Sequence, residues 1–305
     1  MINRLGRIWE EIWFAPQSPL PMSVYRILYG LLVTFNLILL YPNLSTYFGP
    51  NAIVSWETAS QYMDPAAFCL LSYMPSSGQC LAAFFVVAFI AAISLAFGLF
   101  TRLSAFVLLV CLISFDNRCP VIMNSGDNLL RLGAYFLMLS NAGKALSLDC
   151  LLKRRPGSAL LGQPASPWAQ RLLQFQVVLV YFFAFWSKAI GELWVNGMAV
   201  YYVLHLNEFM RLSVGPIFEN LWLCRILTWY ALMAEFSMFT LIWFRKLRYA
   251  VLASVAIMHI GIELTMNIPI FEWLMISSLV VFIDPEDINK VLRIFAKRLR
   301  QSASN

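Results

Sequence analysis

The chain has 305 residues, of which 60% are hydrophobic and 12% are charged, and its formal net charge is +6. This composition excludes an ordinary soluble domain and is typical of a polytopic integral membrane protein. The excess of Lys and Arg is expected to reflect membrane topology, so the charge gives no support for a nucleic-acid partner.

Apolar runs that are long enough, or nearly long enough, to span a bilayer recur along the chain. They predict an all-α polytopic helical bundle with about eight transmembrane helices. The runs are Val24–Leu40, Leu81–Leu99, Leu103–Phe115, Leu129–Leu139, Leu172–Lys188, Leu221–Phe244, Tyr249–Leu264 and Phe271–Ile283. Leu103–Phe115 and Leu129–Leu139 are short, so we expect them to be tilted, broken or sunk in the bundle.

Cations concentrate in alternate segments between these runs, as the positive-inside rule requires. The pattern predicts that the N and C termini are both cytoplasmic. The predicted inner segments carry Arg4, Arg7, Arg102, Lys144, Lys153, Arg154, Arg155, Arg171, Arg245, Lys246, Arg248 and the cations after Asp287.

The two ends of the chain are predicted to be amphipathic. Residues 1–22 are interpreted as an interfacial N-terminal segment, because Ile8, Trp9 and Ile12 fall on one helical face. Residues 286–305 are interpreted as a basic amphipathic cytoplasmic tail that contacts anionic lipid, and residues 23–285 as the transmembrane domain.

The longest outer segment, Tyr41–Gln79, is expected to fold back with a short helix near Ser55–Met63. Cys69, Cys80 and Cys119 fall on the predicted outer side. A disulfide between Cys119 and Cys69 or Cys80 is left open, because spacing alone does not establish its geometry.

Lys188 stands at the end of an aromatic apolar run, VYFFAFWSK, and is followed by Glu192. A charge at membrane depth costs several kcal/mol unless it is paired or hydrated, which makes Lys188 a candidate functional residue. A purely structural alternative is that Lys188 extends to the interface and pairs with Glu192.

Other ionisable residues fall toward the same predicted outer side. His205, Glu208 and Arg211 are spaced three apart, and His259 and Glu263 four apart, as on shared helical faces. Because unpaired buried charge is costly, these groups are expected to surround one outward-facing polar cavity centred on Lys188. Asp116, Arg118, Asp127 and Arg131 are expected to contribute to it.

The remaining motifs narrow the chemistry to acid–base catalysis or binding. With two histidines and no di-iron-type carboxylate cluster, no metal site is expected, and neither GxSxG nor a nucleotide-binding glycine motif occurs. Desolvation favours the neutral amine of a lysine, the form that acts as a general base, whereas an ion pair with a carboxylate favours the ammonium.

A family resemblance covers the chain from about Ser23 to Pro285. The segments SVYRILYG, YFGP, GLFTR, NSGDNLLRLGAYFLML, SLD, VYFFAFWSKAIGELWVNGMAVYYV and MHIGIELTMNIPIFEWLMISSLVVF occur in that order. Together they resemble the membrane domain shared by vitamin K-dependent gamma-glutamyl carboxylases and the bacterial horizontally transferred transmembrane (HTTM) proteins. A second bacterial branch that the chain resembles is the membrane component of sporulation-delaying toxin maturation systems.

The resemblance implies roles for individual residues. Lys188 falls on the lysine held to deprotonate vitamin K hydroquinone, and His259 on the histidine of the penultimate helix. Asp127 stands where the carboxylases have a catalytic histidine, so that role does not carry over. The sequence also ends soon after the last apolar run, without the large outer domain that holds carboxylase substrates, so peptide carboxylation is not expected.

These observations lead to a functional hypothesis. Lys188 and His259 are the predicted catalytic residues of quinol- or lipid-linked acid–base chemistry, with a vitamin K-like quinol as the implied cofactor, in a bacterial inner membrane. The predicted substrate-binding residues are Asp127, Arg131, Glu192, His205, Glu208 and Glu263. The alternative is a non-catalytic protein that binds or moves a lipid or a secreted peptide, with membrane lipids as partners in either case.

Overall fold

The computed structural model describes residues 2–62, 67–152, 162–212 and 216–303. Within these ranges the chain forms helices and no β-strand, and the only sheet-like contacts are two isolated bridges, Gln17 to Ala165 and Met210 to Met266. The predicted all-α class is confirmed.

The α-helices follow one another along the chain, and several of the described connections contain a 3₁₀ turn. They are α1 Ile2–Trp13, α2 Leu20–Leu40, α3 Leu44–Phe48, α4 Trp56–Tyr62, α5 Gly78–Phe97, α6 Thr101–Arg118, α7 Ser125–Leu139, α8 Leu148–Leu152, α9 Trp168–Ala189, α10 Glu192–Val195, α11 Ala199–Leu204, α12 Leu221–Thr240, α13 Arg248–Thr265, α14 Phe271–Ser278 and α15 Pro285–Ala303.

Each predicted apolar run coincides with a helix, and the last run is divided between α14 and the 3₁₀ turn Leu279–Phe282. By length and composition, helical segments able to cross a membrane are Leu20–Phe48, Gly78–Phe97, Trp168–Ala189 and Arg248–Thr265. The chain is therefore a membrane protein. The count of eight spanning helices and the cytoplasmic termini stay predictions.

The two short runs are extended by their polar ends. Helix α6 has 18 residues because it continues through Asp116 to Arg118, and α7 has 15 because it begins at Ser125. The side chain and backbone of Asn124 form a capping box with Asp127, which starts α7 at this point. The polar ends thus add helical length beyond the apolar stretches.

The chain ends and the segment Tyr41–Gln79 also form the predicted helices. Helix α1 leaves Trp9 and Ile12 exposed, and α15 carries the basic C-terminal stretch. Helix α4 matches the helix expected near Ser55, although Met63 lies outside the described residues. The inner-segment cations Lys153, Arg154 and Arg155 also lie outside them.

All six cysteines are described, and all are free thiols. The disulfide left open for Cys119 with Cys69 or Cys80 is therefore absent. The Sγ of Cys69 instead donates to the Ser114 carbonyl at 3.4 Å, which ties the outer segment to α6.

The chain forms two compact units. The first unit comprises Met1–Arg171 and Asp284–Asn305, and the second comprises Leu172–Ile283. The predicted domain limits after residues 22 and 285 stay predictions.

In the first unit, α2, α5, α6 and α7 pack on one another, and α15 packs on α2. Gly30 lets α2 approach α5 closely, because a Cβ at this position would lie 2.7 Å from the Ala96 Cα. Helix α5 then ends at Gly98, whose positive φ of 71° is the left-handed conformation that favours glycine.

In the second unit, α12 packs against α11 and α13, and α14 packs against α13. Thr228 of α12 accepts a hydrogen bond from the Val200 amide at 3.1 Å, and Tyr230 donates to the Ser254 carbonyl at 2.6 Å. Gln174 of α9 donates to the Val281 carbonyl at 2.6 Å. These contacts join α12 to α11 and α13, and α9 to the 3₁₀ turn that follows α14.

Candidate functional site

The C-terminal half of α9 carries the polar side chains of Tyr181, Ser187 and Lys188. Tyr181 and Lys188 are seven residues apart and so lie close to one face of the helix. Lys188 forms an ion pair with Glu235 of α12. The Lys188 side chain is 26% exposed and that of Glu235 is 7% exposed. The ammonium also lies 5.2 Å from the ring centre of Trp194, a cation–π contact.

Glu235 binds Lys188 through Oε1 alone. Its second oxygen, Oε2, is buried and has no hydrogen-bond partner among the described residues. A buried acceptor without a partner is costly and is found most often at strained or catalytic groups, or where a water is bound. The carboxylate therefore retains unused capacity to accept a proton.

The alternative that Lys188 pairs with Glu192 is wrong. Helix α9 ends at Ala189, and Glu192 begins the separate helix α10, where its side chain is exposed. The spacing of four residues predicts a shared face only while one helix continues. The partner of Lys188 comes from another helix instead.

A second buried chain of polar groups joins α9, α13 and α14. His259 Nε2 lies 2.7 Å from the Tyr181 hydroxyl, and His259 Nδ1 contacts Glu272. Tyr181, His259 and Glu272 are at most 3% exposed. The histidine therefore links a phenol to a carboxylate away from solvent.

The carboxylate of Glu272 sets the protonation pattern of this chain. An ionised carboxylate only accepts hydrogen bonds, so His259 donates from Nδ1. In neutral His259, Nε2 then accepts the hydrogen of the Tyr181 hydroxyl; in charged His259, Nε2 donates to the phenol oxygen instead. Either state keeps every member of the chain paired.

Glu263, a predicted binding residue, forms an ion pair with Arg211 at 2.6 Å. The amide of Arg211 also donates to the Thr265 carbonyl at 3.0 Å, so the 206–212 segment is fastened to the end of α13. Glu263 and His259 lie on the same helix, but their polar partners differ.

His205, Glu208 and Arg211 do not share a helical face, which corrects the prediction. Helix α11 ends at Leu204, His205 is its C-cap, and residues 207–209 form a turn. Glu208 is exposed and makes no side-chain hydrogen bond or ion pair with the described residues.

His205 lies outside the membrane-length helices and contacts Glu219. Its Nδ1 donates to the Tyr201 carbonyl at 2.7 Å, and its Nε2 is 3.5 Å from a Glu219 oxygen. The hydrogen bond to Tyr201 and then the Glu219 carboxylate raise the pKa of His205, because both acceptors favour the imidazolium.

Asp127 and Arg131, the other predicted binding residues, belong to the first unit. Asp127 accepts a hydrogen bond from the Asn124 amide at 2.8 Å in the α7 capping box. Arg131 Nε pairs with Asp116 at 3.0 Å, so α7 and α6 are joined beside that cap. Both residues therefore have structural partners within their own unit.

Aromatic rings surround the polar end of α9. Phe182 and Phe185 pack against Phe239 at centroid distances of 5.3 and 5.5 Å, and Phe185 contacts Phe236 at 5.5 Å. Trp186 is 58% exposed beside them. This apolar surface next to a lysine suits a molecule with a polar head and an apolar body.

Two cavities stand out among the described residues, and both lie in the first unit. The polar cavity predicted around Lys188 therefore stays a prediction. No group of three or more His, Cys, Asp or Glu side chains in the described ranges is arranged to hold a metal. The second unit offers instead paired acids and bases.

Two members of these pairs, Glu235 and Glu272, were missed in the sequence-based list. Glu235 is the one carboxylate inside the run Leu221–Phe244, and Glu272 stands at the start of the last run. The rule that a charge in an apolar segment marks a site was applied to Lys188 and would have found Glu235 as well.

Comparison with known families agrees with the motifs. No solved structure matches the chain. The family model of the HTTM domain matches residues 14–286, which is most of the sequence. The chain belongs to the HTTM domain family, a group of membrane proteins.

Proposed function

We propose that the second unit binds an amphipathic ligand with an acidic hydroxyl group, of the hydroquinone class, and that the Lys188–Glu235 pair exchanges a proton with it. One observation carries this proposal. A partly exposed ammonium is paired with a buried carboxylate whose second oxygen has no partner among the described residues. In such a pair, the unpartnered carboxylate oxygen can accept a proton and the ammonium can bind an anion.

In the proposed step, Lys188 passes its shared proton to Glu235 while its nitrogen takes the proton of the ligand hydroxyl. The O–H bond of the ligand breaks, and its electron pair stays on oxygen. The ligand anion then lies beside the Lys188 ammonium, and Glu235 is neutral. Trp194 lies against the ammonium, and a bound ligand that covers this aromatic surface would displace water and strengthen the interaction.

The hydrogen-bonded chain of Tyr181, His259 and Glu272 supports this site because it helps to position α9, which carries Lys188. Tyr181 lies two turns before Lys188 on α9, and His259 is held by the fully buried Glu272. The chain fixes α9 against α13 and α14. It also places a histidine within the same unit as the ion pair.

A second candidate function is the non-catalytic binding or movement of an anionic lipid or a secreted peptide. The pairing of Lys188 with Glu235 favours it, because a carboxylate stabilises the ammonium and so weakens a lysine as a base. In this reading Lys188 holds an anionic head group and transfers no proton.

Mass spectrometry of organic extracts tests whether a ligand is present. The protein is purified in mild detergent as wild type, as Lys188→Met and as the double variant Lys188→Met/Glu235→Leu, which removes both charges. We expect a quinone or hydroquinone in the wild type and not in the variants. Lys290→Met is the control, because Lys290 pairs with Asp287 in an exposed position on α15. The same phospholipids in every extract, with no quinone, would contradict the proposal.

Lys188→Arg separates the two candidate functions. Arginine retains the charge and the ion pair but does not release a proton near neutrality. Retained activity in this variant would exclude proton transfer by Lys188. If the variant still binds the ligand but no longer turns it over, proton transfer by Lys188 is supported.

A further inference from the structure

The larger of these two cavities lies within the segment Tyr41–Gln79, between α4, the 3₁₀ turn Leu70–Tyr73 and the start of α5. Its volume is about 90 Å³. A cavity needs only about 10–15 Å³ to hold one water, so this one has room for a phosphate or carboxylate group. Its apolar wall includes Phe48, Trp56 and Leu81.

Arg118 is the single charged residue that lines this cavity. It is 6% exposed, and its guanidinium donates to the carbonyls of Val54 at 3.0 Å and Gly49 at 3.4 Å. Trp56 lies against it, with its ring centre 5.8 Å from the guanidinium carbon. No carboxylate among the described residues forms an ion pair with it.

The charge of Arg118 is thus balanced only in part. The two carbonyls are neutral, and they leave further guanidinium N–H groups without an acceptor among the described residues. A buried cation is stable when a counter-ion or further hydrogen bonds offset its desolvation. Glu57 of α4 does not line the cavity.

The start of α5 adds positive potential to the cavity. Ser76, Ser77 and Cys80 line the cavity at the N-terminus of α5, which has 20 residues. The side chain of Ser77 caps the Cys80 amide at 3.2 Å. The positive end of the helix dipole and a buried arginine therefore face the same small space.

The geometry points to an anion-binding site in the first unit, formed by Arg118, Ser76 and the start of α5, that takes a phosphate or carboxylate group. Arg118 supplies the charge, the serines supply hydroxyl donors, and Trp56 and Phe48 cover the apolar side. This site is independent of the proposed function, because none of its residues belongs to the second unit. The phosphate comes either from a lipid head group or from a soluble molecule.

Isothermal titration calorimetry of the full chain in detergent distinguishes these sources. Inorganic phosphate is the soluble probe, and short-chain phosphatidylglycerol is the lipid probe, with short-chain phosphatidylcholine for comparison. We expect saturable binding of inorganic phosphate, of phosphatidylglycerol or of both. Binding of phosphate assigns a soluble anion, and binding of phosphatidylglycerol alone assigns a lipid head group.

Two variants test whether Arg118 and Ser76 form the proposed anion-binding site. Arg118→Gln is expected to weaken binding at least about tenfold, since it removes a charge-assisted hydrogen bond. Ser76→Asp is expected to abolish binding by placing a carboxylate beside Arg118, and it leaves the bonds of Arg118 to Gly49 and Val54 intact. Arg102→Gln, at the other end of α6, is the matched control and should leave binding unchanged.

The proposal is overturned if the wild type binds neither phosphate nor phosphatidylglycerol. It is also overturned if Ser76→Asp binds as the wild type does. The second variant decides the question even when Arg118→Gln fails to fold, because Ser76 is exposed and its side chain makes no hydrogen bond with the described residues.

Discussion

Buried charged side chains occur in both units, but their partners differ. In the first unit, Arg26 is fully buried and donates to the Leu146 carbonyl, and the buried Arg118 donates to two carbonyls. In the second unit, Lys188 contacts Glu235 and His259 contacts Glu272. The Arg131–Asp116 pair of the first unit is an exception.

This difference separates two uses of charge. A charge that is bound to backbone carbonyls or amides fixes where a chain segment lies, and its protonation has little reason to change. A charge that is bound to another titratable side chain forms a pair that can share or pass on a proton. We therefore expect the first unit to be sensitive to backbone changes and the second unit to changes in side-chain ionisation.

The largest expected effect is the loss of Lys188 alone. Lys188→Met leaves Glu235 buried without its cation and is expected to lower the free energy of unfolding by about 3 kcal/mol, near the low end for a broken buried pair. The double variant Lys188→Met/Glu235→Leu should recover most of this loss. Denaturant unfolding in mild detergent measures both, with Lys290→Met as a control that stays within about 0.5 kcal/mol of wild type.

If the double variant is as unstable as Lys188→Met, the ion pair is not what holds the second unit at this position. The charged side chains of the second unit would then contribute to stability through packing, and the expected difference between the two units would be wrong.

A backbone change in the first unit comes next. Gly98→Ala is expected to destabilise by about 2 kcal/mol, because φ is positive and the added Cβ would meet Arg26 and Ser147. Gly261→Ala, in the interior of α13 with open space around it, should be neutral or stabilise by up to about 1 kcal/mol. Thermal unfolding measures the stability of both variants. Equal effects of the two substitutions would contradict the expected sensitivity of the first unit to backbone changes.

The buried histidine chain predicts a smaller loss. Tyr181→Phe keeps the ring but removes the partner of His259 Nε2, at a cost of about 1–2 kcal/mol. Tyr73→Phe is the control, because Tyr73 is 79% exposed. Indistinguishable unfolding of the two variants would mean that the hydroxyl of Tyr181 contributes nothing to the unit.

The smallest effect concerns pH. The pKa of His205 is raised above its usual 6.5, so its stabilising contribution is fully present below that value and is lost as pH rises through the higher folded-state pKa. Because the chain has two histidines, NMR titration of labelled histidine can resolve His205, and His205→Gln assigns its signal. A folded-state pKa of His205 at or below 6.5 would show that its contacts with Tyr201 and Glu219 do not stabilise the imidazolium.

Much of the fold could be predicted from apolar run length. Each of the predicted runs lies on a helix, because an uninterrupted apolar stretch in a membrane protein has few alternatives to helix. The positions of the helix ends could be predicted less well from the sequence. The Lys188–Glu192 and His205–Arg211 spacings both presume a continuous helix, and the structure ends α9 at Ala189 and α11 at Leu204.

The candidate site could be predicted only in part for the same reason. Lys188 is visible as a cation after an apolar run, and His259 through its likeness to the carboxylase pattern. Their partners, Glu235 and Glu272, depend on which helices pack together, and spacing within one helix carries no information about that. Pairing across helices is therefore where the structure adds most.

Binding of menadiol, a hydroquinone of the vitamin K class, tests the central claim most directly. Anaerobic absorbance spectra of the purified protein distinguish the neutral from the ionised hydroquinone. We expect the wild type to bind menadiol and to increase its ionised fraction, and Lys188→Arg to bind it without that increase. An equal ionised fraction with both proteins, or binding of only the neutral form by the wild type, would contradict proton exchange at the Lys188–Glu235 pair.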